Sequence, residues 1–85
     1  MSKLEKAIQR LKSIPRDYAY AEAKYILGQF GLMEMNKGKT SGSRVKFYRP
    51  SDGEMISFHK PHPSNIMSMG NVRDLVAFLE RIGEI

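Results

Sequence analysis

The sequence predicts an α+β fold, with a three-stranded antiparallel sheet packed on helices in the order α-α-β-β-β-α. Two observations predict it. Apolar residues recur at helical spacing near both ends of the chain, and between them two runs alternate with period two around an Asp-Gly turn.

Each element has its own justification. Leu4, Ala7, Ile8 and Leu11 fall on one helical face, and Ser2 with Glu5 three residues later forms a capping-box signature, so a first helix runs from about Lys3 to Ser13, with Pro15 marking its end. Ala19, Ala23, Ile26, Leu27 and Phe30 make a second helical stripe, and Gly31 stands where a left-handed C-terminal cap is needed. "LMEM" reads as a short strand leading into the loop "NKGKTSG". "SRVKFYR" and "EMISFHK" then form a hairpin across "PSDG". Finally Val72, Leu75, Val76, Leu79 and Ile82 repeat at helical spacing, with Asn71 as N-cap and Gly83 just past the end. The chain reads as one domain, 1–85, in which residues 1–16 are an N-terminal helical extension.

Length and composition narrow the function classes. An 85-residue chain has room for one modest core, since a body this small buries only about 60% of its unfolded surface. No apolar run approaches the roughly 20 residues that span a bilayer, and "MSKLEKAIQR" has no apolar signal-peptide centre, so a cytoplasmic protein without a membrane partner is expected. Without cysteine there are no disulfides, thiolate zinc sites or cysteine nucleophiles. The net charge of +5 is concentrated: Lys37, Lys39, Arg44, Lys46 and Arg49 lie in a segment with no acid, while the other nine bases match nine acids. Such a local field attracts polyanions, nucleic acid first.

Parity on the hairpin sharpens this. If Val45, Phe47, Ile56 and Phe58 face the helices, then Arg44, Lys46, Tyr48, Met55, Ser57 and His59 face away. A four-residue loop, Pro50 to Gly53, sets Arg49 opposite Glu54, Phe47 opposite Ile56, Lys46 opposite Ser57, and Arg44 opposite His59. Directly opposed side chains start only about 5 Å apart. The outer face should therefore join Arg44, Lys46, Tyr48 and His59, with His62 nearby. Arg49 and Glu54 read as a cross-strand surface pair.

These residue types fit one chemistry. A neutral imidazole takes a proton near pH 7, and adjacent cations stabilise charge building on a phosphate. RNA carries its own nucleophile, the 2′-hydroxyl, so strand scission needs neither metal nor external water, and DNA is inert to this route. Competing readings are weaker. His59 and His62 lack a third ligand at zinc spacing. "GKT" at Gly38 to Thr40 is not a P-loop, because Met33 occupies the first glycine position and a strand follows instead of a helix. Parity leaves Tyr48 as the single aromatic available for base stacking, and the six methionines read as core filler and loop cover.

Gly42-Ser43 opening a basic strand, the aromatic in "RVKF", the "PSDG" turn, and the spacing from His62 to Gly70 before a terminal amphipathic helix together resemble the HicA-type toxins of bacterial toxin-antitoxin pairs, over roughly Ile26 to Ile85. The resemblance implies a double-stranded-RNA-binding-domain-like fold, ribosome-independent mRNA cleavage that arrests translation, and neutralisation by a HicB-type antitoxin; no cofactor is expected. The family usually reads glycine-serine-histidine at the strand opening, and that histidine is catalytic; here the third residue is Arg44. Arginine is no base at neutral pH. Either activity is lost or another imidazole has taken over, and the register favours the second, with His59 as base and His62 assisting. Lys37, Lys39, Ser43, Arg44, Lys46, Tyr48 and Lys60 are the candidate RNA and phosphate contacts. A non-catalytic RNA-binding module and a basic protein-interaction domain are the alternatives.

Overall fold

In the computed structural model, which describes residues 2–35, 44–61 and 64–85, Ser2 opens α1 (Lys3–Lys12) by reciprocal capping. Its hydroxyl accepts from the Glu5 amide at 3.1 Å, and the Glu5 carboxylate accepts from the Ser2 amide at 3.0 Å. Two of the first-turn amides that a helix leaves unpaired are thereby satisfied. Leu11 is fully buried, and Leu4, Ala7 and Ile14 pack beside it, so the helix that extends the chain at its N-terminus contributes to the common core.

The second helix, α2 (Tyr20–Gln29), buries Ala23, Ile26 and Leu27. Its first turn is closed by Glu22, whose carboxylate accepts from the Ala19 amide at 2.9 Å and from Arg10 of α1 at 3.1 Å. Ala19 is therefore the capping residue, not part of the apolar stripe. At the other end Gly31 adopts φ +85°, and the Leu32 amide donates back to the Leu27 carbonyl at 2.9 Å. This is the left-handed C-terminal cap expected at that glycine.

Three strands follow: β1 (Met33–Glu34), β2 (Arg44–Arg49) and β3 (Glu54–His59). They form one antiparallel sheet in the order β1-β2-β3. The hairpin register is the expected one at every rung, from Arg44 opposite His59 to Arg49 opposite Glu54. Val45, Phe47, Ile56 and Phe58 are buried against the helices, Phe47 and Phe58 with ring centroids 6.0 Å apart and nearly parallel. Tyr20 of α2 meets Phe58 edge-on at 6.2 Å. The last helix, α3 (Met69–Arg81), buries Val72, Leu75, Phe78 and Leu79, and packs on β3 and α1. No helix among the described residues is long and apolar enough to cross a membrane.

Several local expectations are corrected. Arg49 is no surface partner of Glu54. It shares the inward parity of Val45 and Phe47 and is nearly buried, its fork held by Asp52 at 3.0 and 2.7 Å, the Phe30 carbonyl at 3.0 Å and Glu84 at 2.8 Å. Glu54 instead pairs with Arg81 of α3 at 3.1 Å. The N-cap of α3 is Ser68, whose hydroxyl accepts from the Asn71 amide at 3.1 Å, so the helix starts two residues before Asn71. Gly70 accordingly lies inside its first turn. The segment before that cap also packs against the fold: Ile66 bridges Ala19, Tyr20 donates to the Asn65 carbonyl, Met67 donates to the Tyr18 carbonyl, and the Met67 side chain is buried. Lastly, Met33, Met35 and Met55 are exposed, so core filling does not account for them.

Two glycines, one inside α2 and one capping it, should respond oppositely to alanine. Gly28 sits inside α2, where an added Cβ meets nothing within 4 Å, so Gly28→Ala should stabilise the protein by about 0.5–1 kcal/mol. Three residues on, Gly31→Ala should destabilise it by about 1–2 kcal/mol, because the positive φ penalises a Cβ and the Arg49 stem lies 3.4 Å from where that atom would sit. Urea midpoints followed by circular dichroism should show the opposite signs. In addition, the Arg10 guanidinium, helped by the Ala19 amide, holds Glu22 below its ordinary value of 4.5. The unfolded chain then takes up this proton more readily, so the contribution is complete above that value and is lost as pH falls through the folded one. The stability gap between wild type and Glu22→Gln should accordingly narrow from neutral pH to roughly pH 3 in the same urea titrations.

Candidate functional site

Period-two alternation on a sheet with one covered face leaves the other open, and the hairpin sends Arg44 and Lys46 there. Arg44, Lys46 and His59 are exposed and Tyr48 is half-buried, all on the face away from the helices. At the rung where β2 begins and β3 ends, Nη1 of Arg44 lies 3.5 Å from Nε2 of His59. The Nη2 group of Arg44 donates to the Ser57 hydroxyl at 3.4 Å. One guanidinium thus spans the imidazole and a hydroxyl while its own face stays in solvent. If Nε2 accepts from Arg44, the neutral ring carries its hydrogen on Nδ1.

The backbone beneath the imidazole is fixed by α3. Asn71, in the first helical turn, donates its side-chain amide to the His59 carbonyl at 3.3 Å. Around that point His59, Lys60, Pro61, Ser64, Ile66, Ser68 and Asn71 line an open depression between the strand end and the start of α3. His59 therefore borders both the outer sheet face and this hollow.

Lys60 is placed differently from the other cations. Its ammonium lies 5.7 Å from the ring centroid of Tyr20, and Lys24 approaches the same ring at 5.5 Å. This puts Lys60 on the flank of the sheet toward α2, next to His59 in the hollow but off the Arg44–Lys46 face. The Tyr20 phenol is pushed up to about 12 by burial and by the neighbouring Glu34 carboxylate, to which it donates at 3.4 Å. It stays protonated at neutral pH and is no candidate base.

Of the residues selected from sequence, the structure gathers His59, Arg44, Lys46 and Tyr48 on one face and sets Lys60 beside them. His62, Lys37, Lys39 and Ser43 lie outside the described residues. Two participants were not selected. Ser57 was legible, since the same parity that exposes Lys46 exposes its partner across the ladder. Asn71 was read as a cap, and its link to His59 depends on how α3 meets the sheet, which local pattern does not encode.

Comparisons with known protein families, with curated proteins and with solved structures find no match for this chain.

Proposed function

We propose that this protein is a metal-independent endoribonuclease acting on mRNA, the toxin of a type II toxin-antitoxin pair, divergent from HicA-type toxins in the placement of its base. The single observation that carries the reading is the Arg44–His59 contact on an open, cationic sheet face. As the Arg44 guanidinium turns from the ring to the phosphate oxygens, Nε2 of His59 is freed and removes the 2′-hydroxyl proton, O2′ attacks the adjacent phosphorus, and the bond to O5′ breaks, leaving a 2′,3′-cyclic phosphate and a 5′-hydroxyl. Arg44 stabilises the charge that accumulates on the phosphate oxygens. O5′ takes up a proton as it leaves, and His62 is the second imidazole available for that transfer. A HicB-type antitoxin is the partner this reading implies, holding the toxin inactive until it is removed.

The resemblance places the family's catalytic imidazole at position 44, directly across the ladder from position 59. Moving an imidazole from one strand to the opposite position on the next keeps it over the same patch of sheet. That equivalence supports a relocated base.

Purified protein incubated with end-labelled RNA in a chelator should yield fragments ending in 2′,3′-cyclic phosphate, and no cleavage where the 2′-hydroxyl is methylated. His59→Ala should slow cleavage by about 10²–10⁴-fold, with an unchanged melting midpoint because the ring is exposed. Undiminished cleavage by that variant overturns the assignment. Retained but intact RNA with the wild-type protein makes the chain a non-catalytic RNA-binding module instead.

A further inference from the structure

The register lays out the open face in rungs. Met33, Tyr48 and Met55 stand side by side across all three strands. On the next outward-facing rung the Met35 amide donates to the Lys46 carbonyl at 2.7 Å, and Lys46 opposes Ser57. Arg44 and His59 form the third. The acids of these strands have the other parity or other partners: Glu34 lies near Lys24 and accepts from Tyr20, and Glu54 accepts from Arg81. Among the described residues, the outward positions of the sheet carry no carboxylate.

The face is therefore graded, cationic at one end and apolar at the other. Met33 and Met55 are 58% and 46% exposed on either side of Tyr48, a placement that core packing does not explain. From Arg44 to Tyr48 is four residues along β2, about 13 Å, a length that a few nucleotides of extended RNA cover. Positive charge without acids selects a polyanion, and an aromatic ring between two polarizable thioethers selects flat unpaired bases. Duplex bases are already stacked on one another and offer no such face.

We propose that the Met33–Tyr48–Met55 row is a base-stacking subsite for single-stranded RNA, which seats a base flanking the phosphate held at Arg44 and His59, with Lys46 contacting the backbone between them. The proposal rests on the RNA-directed reading above and adds the strandedness of the substrate and the residues that select it.

The test is fluorescence anisotropy of the full chain with a short, fully 2′-O-methylated single-stranded RNA, so that binding is read without cleavage. Tyr48→Ala should weaken binding about ten-fold or more, while Tyr48→Phe stays close to wild type. The doubly substituted Met33→Ser, Met55→Ser protein, altered only at exposed positions, should weaken binding by a smaller factor. Lys46→Ala should reduce the slope of log affinity against log salt by about one, whereas Tyr48→Ala leaves that slope unchanged. An abasic strand should bind wild type and Tyr48→Ala equally. Duplex RNA bound as tightly as single strands, wild-type affinity in Tyr48→Ala, or an equal loss in Tyr48→Phe and Tyr48→Ala each overturns the subsite. Cleavage of unmodified RNA is followed in parallel. Lost cleavage chemistry with the Tyr48 effect intact refutes the catalytic reading and supports the subsite; cleavage with no Tyr48 effect refutes the subsite alone.

Discussion

A paired strand has only two ways to present its side chains, and a slip of one residue exchanges them all. The β2–β3 register therefore carries the fold and the candidate site together. With Val45, Phe47, Ile56 and Phe58 committed to the core, Arg44, Lys46, Tyr48, Ser57 and His59 have nowhere to go but the opposite surface. Arg49 secures this alignment at the turn. The Gly53 amide closes the loop onto the Arg49 carbonyl at 2.8 Å, and the Arg49 guanidinium grips Asp52 of the same loop in a two-point fork. A bidentate pair of this kind fixes orientation as well as distance. Its third nitrogen reaches the end of α2 through the Phe30 carbonyl and the end of α3 through Glu84. A buried cation with one partner removed is costly, whereas one with its donors used is tolerated. Here every nitrogen of the fork has an acceptor.

The surrounding elements place the far end of the hairpin with the same economy of contacts. Asn71 holds the His59 carbonyl, and Ser68 closes the helix turn from which Asn71 projects. Residues 65–67 pair with the backbone at residues 18–20, which ties the chain after β3 to the start of α2. His59 is thus anchored at its backbone while its ring faces solvent beside Arg44.

The hairpin was legible because its determinants are local. Alternation gives parity, and a loop of four residues between Arg49 and Glu54 leaves one register that pairs core with core. The α1 capping box and the Gly31 and Gly83 caps were legible for the same reason, as each is specified within a few residues. Arg49 was not, because its choice between Glu54, directly opposite, and Glu84, thirty-five positions along the chain, depends on where α3 ends against the sheet. Parity alone did contain the hint: Arg49 continues the inward series begun by Val45 and Phe47. The α3 start was misplaced because Ser68 and Asn71 are both good capping residues, and the backbone pairing of Met67 with Tyr18, which ties down the chain just before Ser68, is not local. Of the candidate site, Arg44, Lys46, Tyr48 and His59 followed from register. Lys60 lies past the strand, where alternation ceases to assign a face. The methionine row spans three strands, and β1 is too short for its alternation to be read.

One strand thus separates two duties. Arg49 and Arg44 stand at opposite ends of β2, about 17 Å apart along the strand, one immersed in a network of acceptors and the other open to solvent. Substitutions at such a separation combine additively as a rule. The exposed end of the strand can therefore change its side chains without renegotiating the lock that keeps the hairpin aligned.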